Sequence, residues 1–307
     1  MKKIILSLCL LLSFRASYGQ QELQMSHYLF NGIYWNPGYT GSNDYFRTTA
    51  MYRHQWTTIK GAPRSGMFSA DLPFVLDNMG VGLQIVTDHI GVSSLNEIFA
   101  TYAYHIQLGN KMAIGLGIRA GISSFNARLD DLLVWDSGDS EFSQPYNNLM
   151  IPKIGFGVYF HGENFYLGAS VPSLWVYDKD YQFNVDIDKA SWWRRHYSIS
   201  GAYAFKFGNF MIKPSFLTKY VKNAPFQADF SLTGGIKDIV FVTVGYRTNA
   251  AAIAMIEIRP WEYFRIAYSF DLSTPDYLRV YGGTTHEIML GYDILMKNAR
   301  YKSPRYF

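Results

Sequence analysis

The sequence predicts an all-β protein, a transmembrane antiparallel β-barrel of about 14 strands, and three observations lead to this prediction. Aromatic side chains make up 17% of the chain, with 24 Tyr and 22 Phe, and hydrophobic residues make up 49%. After the N-terminal leader, no segment contains the roughly 18 consecutive apolar residues that a membrane-spanning helix needs. The apolar residues instead alternate with polar residues and glycine, which is typical of outer-membrane barrels.

The start of the chain has the three parts of a secretory signal peptide. Two lysines follow the initiator methionine, residues 4–14 are apolar, and the small residues Ser17 and Gly19 precede the expected cleavage site. The apolar part is too short to span a membrane as a helix. We therefore expect residues 1–19 to be removed and the mature chain to lie outside the cytoplasm.

The leader also changes what charge and cysteine content indicate. The whole chain has a net charge of +4, of which Lys2, Lys3 and Arg15 leave with the leader. The mature chain is then close to neutral, which argues against nucleic acid as a partner. The single cysteine, Cys9, also lies in the leader, so we expect no disulfide in the mature protein.

Period-two alternation recurs along the mature chain. In residues 112–123, apolar side chains occupy the even positions, and Ala, Gly, Arg119 and Ser occupy the odd ones. Residues 264–272 alternate in the same way, with Arg265 and Asp271 on the polar face. Successive side chains of a strand point to opposite faces, so each segment has one apolar and one polar face. The predicted strands lie near residues 45–57, 63–74, 79–89, 94–107, 111–125, 150–161, 164–172, 194–207, 209–221, 226–234, 238–247, 250–260, 262–273 and 284–295.

The connections between these strands also favour a barrel. Those that follow even-numbered strands are very short, such as the glycine-containing turns near residues 109 and 162. The longest ones, 126–149 and 173–193, follow odd-numbered strands. Bacterial barrels have an even number of strands, tight periplasmic turns and longer outer loops, so the two kinds of connection fall on opposite ends as expected.

By the same parity, the inner wall carries charges of both signs. One interpretation is a structural network in which neighbouring strands neutralise each other. The other is a polar path or a docking cavity for a passenger protein, and parity does not decide between the two. The side chains expected to face the lumen are Arg47, Arg53, Arg119, Lys153, Lys213, Lys219, Arg247, Arg259 and Arg265, with Asp71, Glu97, Asp229, Glu257, Asp271, Glu287 and Asp293.

One further segment, residues 20–43, precedes the first strand. It lacks clean alternation but contains several aromatic residues, Pro37 and glycines. We expect it to fold back under or into the barrel mouth as a periplasmic or plug-like element. Residues 44–307 are expected to form the outer-membrane barrel, so the mature chain is interpreted as a single domain.

No catalytic residue, metal site or cofactor is predicted. The seven histidines show no metal-ligand spacing on a helix. His286 and Glu287 look like the start of an H-E-x-x-H zinc helix, but the second histidine position is Leu290. In a strand, neighbouring side chains point to opposite faces. We therefore expect His286 at the rim of the lipid-facing surface, and Glu287 in the lumen beside an Arg or Lys.

Short motifs near both ends of the mature chain match a known pattern. Residues 36–41 read NPGYTG, residues 52–56 read YRHQW, and residues 286–288 read HEI. The motif residues are Tyr28, Phe30, Asn31, Asn36, Pro37, Gly41, Arg53, Gln55, Trp56, Gly61, Pro63, His286, Glu287 and Gly291. Together they resemble the PorP/SprF-type outer-membrane proteins of the type IX secretion system. That family usually has the form NPAYAG, from which Gly38 and Thr40 depart by small residues.

The resemblance implies an outer-membrane barrel that serves as an accessory component of the type IX secretion or gliding machinery. Its expected partners are outer-membrane lipid, components of that machinery, and a large secreted adhesin or other type IX cargo that it helps to export or to hold at the surface. The family brings no catalytic or metal residues. Two alternatives remain: a channel or transporter for small solutes, and a structural barrel with no cargo of its own.

Overall fold

The computed structural model describes residues 23–74, 78–109, 111–129, 146–173, 196–221 and 224–296, and these residues form fifteen strands. Two short helices are α1 (Gly32–Trp35) and α2 (Asp276–Tyr281), and 3-10 turns span His27–Phe30 and Pro37–Tyr39. Within these ranges, no helix has the length and apolar character needed to cross a membrane. The strands are β1 (Tyr45–His54), β2 (Arg64–Phe74), β3 (Met79–Ile90), β4 (Ser93–Leu108), β5 (Met112–Ala127), β6 (Tyr146–Gly162), β7 (Phe165–Val171), β8 (Tyr197–Tyr203), β9 (Phe205–Phe207), β10 (Phe210–Tyr220), β11 (Gln227–Ile236), β12 (Val240–Arg247), β13 (Ala251–Trp261), β14 (Phe264–Ser273) and β15 (Thr284–Leu295).

The strands form one closed antiparallel barrel. Apart from β8 and β9, each strand pairs with the next along the chain, and β15 closes the ring on β1, from Tyr45 opposite Leu295 to His54 opposite His286. β8 and β9 both pair with β10 and lie on either side of Ala204, so they act as two parts of one wall strand. The barrel therefore has fourteen strand positions, which confirms the predicted fold class.

Burial alternates along the strands as the sequence pattern predicts. In β13, Ile253, Met255 and Glu257 are buried, whereas Ile256 and Ile258 are exposed. The exposed set is apolar because it faces lipid, and the buried set includes charged groups because it faces the inside. A closed barrel satisfies its backbone hydrogen bonds between strands, which is what a membrane-spanning β-structure requires.

The two ends of the barrel differ in their connections. One end, called here the short-turn end, includes the turns that join β2 to β3, β4 to β5, β6 to β7 and β13 to β14. The opposite end, the long-loop end, carries the connections 55–63 and 274–283 and the strand ends at Ala127, Tyr146, Val171 and Tyr197. The two connections for which the sequence predicts the greatest length, 126–149 and 173–193, lie mostly outside the described residues. The tight turn between Ile90 and Ser93 also lies at the long-loop end, so length separates the two ends less strictly than the sequence predicts.

The segment Leu23–Asn43 contacts the inward-facing side chains of the barrel. Near the long-loop end, Gln24 donates to Gln227, the first residue of β11. Near the short-turn end, the backbone N–H of Gly41 donates to Asp71, and Gly41 packs against Gly80 at the start of β3. The chain thus passes along the interior from one end of the barrel to the other before β1 begins.

Candidate functional site

The carboxylate of Glu287 is the centre of a buried charge cluster near the long-loop end. The backbone N–H groups of Ser26 and His27 each donate to it at 2.9 Å, and the Nδ1 of His27 lies 2.6 Å from Oε1. From the neighbouring strand β1, Nη1 of Arg53 donates to Oε2 at 2.9 Å. A buried carboxylate is tolerated when charged partners and hydrogen bonds satisfy it, and here three of the four partner groups come from the N-terminal segment.

Two more carboxylates extend this cluster across β14 and β11. Asp271 accepts from the Ser26 hydroxyl at 2.6 Å and from Nη2 of Arg53 at 2.8 Å. The carboxylate of Asp229 accepts a hydrogen bond from Nε of Arg247 at 3.0 Å. Two guanidinium groups therefore face three carboxylates, and the N-terminal segment supplies the additional donors. We call this cluster near the long-loop end the upper charge network. It consists of Ser26, His27, Arg53, Asp229, Arg247, Asp271 and Glu287.

A second cluster lies near the short-turn end and is built around Tyr39. Nη1 of Arg47 and Nδ2 of Asn43 donate to the phenol oxygen at 2.6 and 2.7 Å. Burial raises the pKa of Tyr39, so the phenol stays neutral and acts as an acceptor for both groups. Arg47 also approaches Asp293 at 3.5 Å, and Nε of Arg265 approaches the same carboxylate at 2.9 Å.

The remaining charges at this end are paired within the wall or with the segment. Arg259 donates to Glu257 at 2.6 Å, two positions away on the same face of β13. Asp71 accepts from the backbone of Gly41 at 2.7 Å. We call this cluster near the short-turn end the lower charge network. It consists of Tyr39, Gly41, Asn43, Arg47, Asp71, Glu257, Arg259, Arg265 and Asp293.

Cations elsewhere on the inner wall use carbonyl oxygens and aromatic rings, some from the N-terminal segment and some from the wall and its connections. Arg119 donates to the carbonyls of Tyr34 at 2.9 Å and Pro172 at 2.6 Å, and its guanidinium lies 4.4 Å from the ring centre of Phe99. The ammonium group of Lys219 lies 4.0 Å from the ring centre of Trp35. Desolvated cations are stabilised by such rings, so the aromatic content of the segment has an electrostatic use.

The turn Asn36–Gly38 packs directly on the wall strands β5 and β6. Asn36 donates to the carbonyl of Val158 at 2.9 Å and accepts from the N–H of Gly38 at 2.8 Å, which fixes the turn. A side chain at Gly38 would meet a wall carbonyl oxygen at 2.7 Å, and one at Gly117 would overlap Pro37. Glycine is required where two backbones approach this closely. The inward glycines under the turn are Gly115, Gly117 and Gly157.

This contact was missed by reasoning from sequence. The alternating glycines of residues 112–123 were interpreted as part of a polar face, whereas their absent side chains make room for the turn. A run of glycines at every second position of a strand is itself a sign that another backbone approaches there, and it could have predicted the contact.

The predicted luminal charges are all inward, but they do not form one network. Arg47, Glu257 and Arg265 belong to the lower charge network, and Arg53, Arg247, Asp271 and Glu287 belong to the upper one. Glu97 pairs with Lys153 on its own side of the barrel, and Arg119 donates to the backbone carbonyls of Tyr34 and Pro172. Within the described ranges, no group of three or more His, Cys, Asp or Glu side chains is arranged to hold a metal ion.

The motif residues lie in the N-terminal segment, in β1, in the connection 55–63 and in β15. Those of the N-terminal segment face the inner wall, where Tyr28 and Phe30 are buried and Asn31 accepts from Ser69 at 3.2 Å. Those of the connection support the long-loop end: the N–H of Gln55 donates to the carbonyl of Pro63 at 3.0 Å, and the carbonyl of Gly61 accepts from the N–H of Gly91 at 2.8 Å. The remaining motif residues are Asn36, Pro37, Gly41 and Arg53, described above, with Trp56, His286, Glu287 and Gly291.

The pair His286–Glu287 is split by the barrel wall, as the strand pattern predicts. Glu287 lies in the upper charge network, whereas the Nδ1 of His286 lies 2.5 Å from the hydroxyl of Tyr268 on the outer surface. Gly291 faces inward on the same strand, four residues after Glu287. It leaves room for the guanidinium of Arg265, which a side chain at this position would meet at 2.8 Å.

Comparison with known proteins agrees with the motifs. The family described as "Type IX secretion system membrane protein PorP/SprF" matches residues 17–292. The chain belongs to this family. Its barrel and its family together make this PorP/SprF protein an outer-membrane component of the type IX secretion system.

Several solved structures align with most of this chain. The CymD monoaromatic hydrocarbon channel aligns with a TM-score of 0.52 at 10% identity, over 87% of this chain and 93% of that one. The Ralstonia pickettii toluene transporter TbuX gives 0.47 at 9% identity over 85% and 92%, and Acinetobacter baumannii Omp33 gives 0.46 at 6% over 84% and 100%. At these identities the likeness concerns the fold alone. No curated protein matches the chain.

Replacing Glu287 by alanine should lower the free energy of unfolding from lipid vesicles by about 3–5 kcal/mol, because it leaves the N–H groups of Ser26 and His27 buried without an acceptor and removes one of the two carboxylates that neutralise Arg53. Urea titration of the reconstituted barrel measures this change. The matched control is Glu163→Ala, which breaks the exposed pair with Lys111 (3.3 Å) and should cost about 0–1 kcal/mol. Equal effects of the two substitutions would contradict the assignment of Glu287 to a buried network.

Proposed function

We propose that this PorP/SprF protein is a docking barrel: it anchors in the outer membrane and supports export or surface attachment of a partner secreted by the type IX system, such as a large adhesin. Its action is binding rather than catalysis. The N-terminal segment fills the lumen, so the partner is held by the ends of the barrel and not passed through it. Residues 1–19 direct export and are removed.

The observation that carries this proposal is the path of residues 23–43 through the barrel. The segment is tied to the upper charge network through Ser26 and His27, and to the lower one through Tyr39 and Gly41. Between these points its carbonyls and rings contact inward cations such as Arg119. A lumen so occupied supports a holding role over the passage of solutes.

The two ends of the barrel are suited to different partners. In bacterial barrels the short turns face the periplasm and the longer loops face the outside. On this orientation, the short-turn end meets components of the secretion machinery, and the long-loop end meets the secreted partner. The connection 55–63 is held by backbone bonds to Thr284 and Gly91, so it offers a fixed surface at that end.

A strain that lacks this gene is expected to lose export or surface attachment of at least one type IX cargo. Fractionation and surface immunolabelling of the cargo proteins measure the loss. Complementation with the wild-type gene or the Glu163→Ala variant should restore the cargo, since Glu163 lies in an exposed turn. Normal export and surface display of every type IX cargo in the deletion strain would contradict the proposal.

The competing function is a channel or transporter for small solutes, and the fold likeness to the CymD monoaromatic hydrocarbon channel is the observation in its favour. A gap near Asn36 and Tyr166, lined mainly by aromatic and apolar side chains, holds only about 20 Å³, enough for roughly one water molecule. At this place the space between the segment and the wall is too small for an organic solute.

Conductance in planar bilayers separates the two functions. The intact mature chain is expected to conduct poorly, and deletion of residues 20–43 is expected to raise the conductance because the lumen loses its filling. Slower migration of heated than of unheated protein in gels verifies that the shortened chain still forms a barrel. A second variant, Gly117→Leu, displaces Pro37 without removing residues. High conductance of the intact chain would support the channel instead, and an unchanged closed pore in both variants would refute the plug.

A further inference from the structure

The helix α2 lies at the long-loop end between β14 and β15, and it presents a distinct apolar face. At about 100° per residue, Tyr277, Val280 and Tyr281 share one side of the helix. Their exposed fractions are 70%, 65% and 63%, among the highest of the large apolar side chains in the described residues. The rings of Tyr277 and Tyr281 lie 5.2 Å apart, so the face is a contiguous patch.

The other sides of α2 have different chemistry. Asp276 and Arg279 form an exposed ion pair at 2.7 Å, on a side rotated by roughly a quarter to a third of a turn from the apolar face. Leu278, on a third side, is half-buried. The helix therefore has a charged side, an apolar side and a side that is shielded by the protein, which is the pattern of a helix that lies in a membrane interface.

The position of α2 is fixed by the neighbouring connection. The hydroxyl of Thr58 donates to the carbonyl of Tyr281 at 2.5 Å, and the N–H of Thr57 donates to the carbonyl of Thr284 at 3.0 Å. These bonds hold the end of the helix against the start of the β1–β2 connection. The position of the apolar face relative to the barrel wall is therefore fixed, which would not be the case on a free loop.

The lipid-facing surface of the barrel leads directly to this helix. Along β14, Tyr268, Phe270 and Leu272 are exposed and face lipid, and α2 begins four residues after Leu272. Tyrosine is favoured where an apolar surface meets the polar headgroups, because its ring is apolar and its hydroxyl is polar. The apolar face is then a continuation of an interface that the barrel already makes.

We propose that α2 docks on the lipid surface at the long-loop end, with Tyr277, Val280 and Tyr281 inserted among the headgroups and the Asp276–Arg279 pair in water. This goes beyond the docking function, because it assigns the helix to lipid and not to the secreted partner. It fixes the depth of the barrel at its closing seam, where β15 meets β1.

An environment-sensitive fluorophore on a single cysteine tests this proposal. The only cysteine of the chain is Cys9, in the expected leader, so Val280→Cys in the mature protein gives one labelling site. The barrel is reconstituted in phosphatidylcholine vesicles that contain phosphatidylcholine brominated near the headgroup. Tyr277→Cys is a second site on the same face, Leu272→Cys is a lipid-facing reference, and Arg279→Cys is the matched control on the charged side.

The expected result is blue-shifted, bromolipid-quenched emission at positions 280 and 277, close to that at 272, and water-like, iodide-quenched emission at 279. Water-like emission at 280 and 277 without bromolipid quenching would overturn the proposal. Shielding of these labels only after a purified type IX cargo is added would also overturn it, since the face would then belong to a protein partner. Neither outcome changes the expected secretion phenotype of a deletion strain. The fluorescence experiment can therefore contradict this proposal without contradicting the proposed function.

Discussion

A charged side chain that is buried inside this barrel must find its partners in protein, because burial removes it from water. Glu287 shows how that constraint is met: its carboxylate accepts from Arg53 on the wall and from the backbone of Ser26 and His27 in the N-terminal segment. The wall supplies two guanidinium groups for three carboxylates in this network, so it is incomplete without the segment. Loss of one partner from such a buried cluster costs far more than loss of an exposed pair. The segment is therefore a structural part of the barrel.

The same dependence recurs at the other end with different chemistry. The Asn36–Gly38 turn packs on glycines of β5 and β6, where any side chain would collide with it. Arg119 binds the carbonyl of Tyr34, so a wall cation is satisfied by a backbone group of the segment. The wall and the N-terminal segment therefore fit each other in two ways. Glycines allow close packing in one region, and charged groups pair in another. The role proposed above, in which the barrel holds a partner, depends on this mutual fit.

The barrel could be predicted from sequence because alternation with period two determines which face of a strand each residue occupies. Parity correctly separated Glu287 from His286 across the wall. It did not predict which charges meet, because parity gives direction and not distance. The contacts of Ser26 with Glu287 join residues 261 positions apart, and no local pattern contains that information. The interruption at Ala204 was missed for the same reason, because it depends on what lies opposite in space. The close approach at Gly117 is different, since the glycines at every second position of β5 are a local sign of it.

Amide hydrogen exchange of residues 23–43 in the reconstituted barrel tests the central claim most directly. The N–H groups of Ser26, His27 and Gly41 donate to buried carboxylates, so they exchange only when the segment leaves its site. The account predicts protection comparable to that of the wall strands, and reduced protection of the Ser26 and His27 amides in the Glu287→Ala variant. Exchange of the segment at the rate of an unstructured peptide, in a barrel whose strands remain protected, would contradict it.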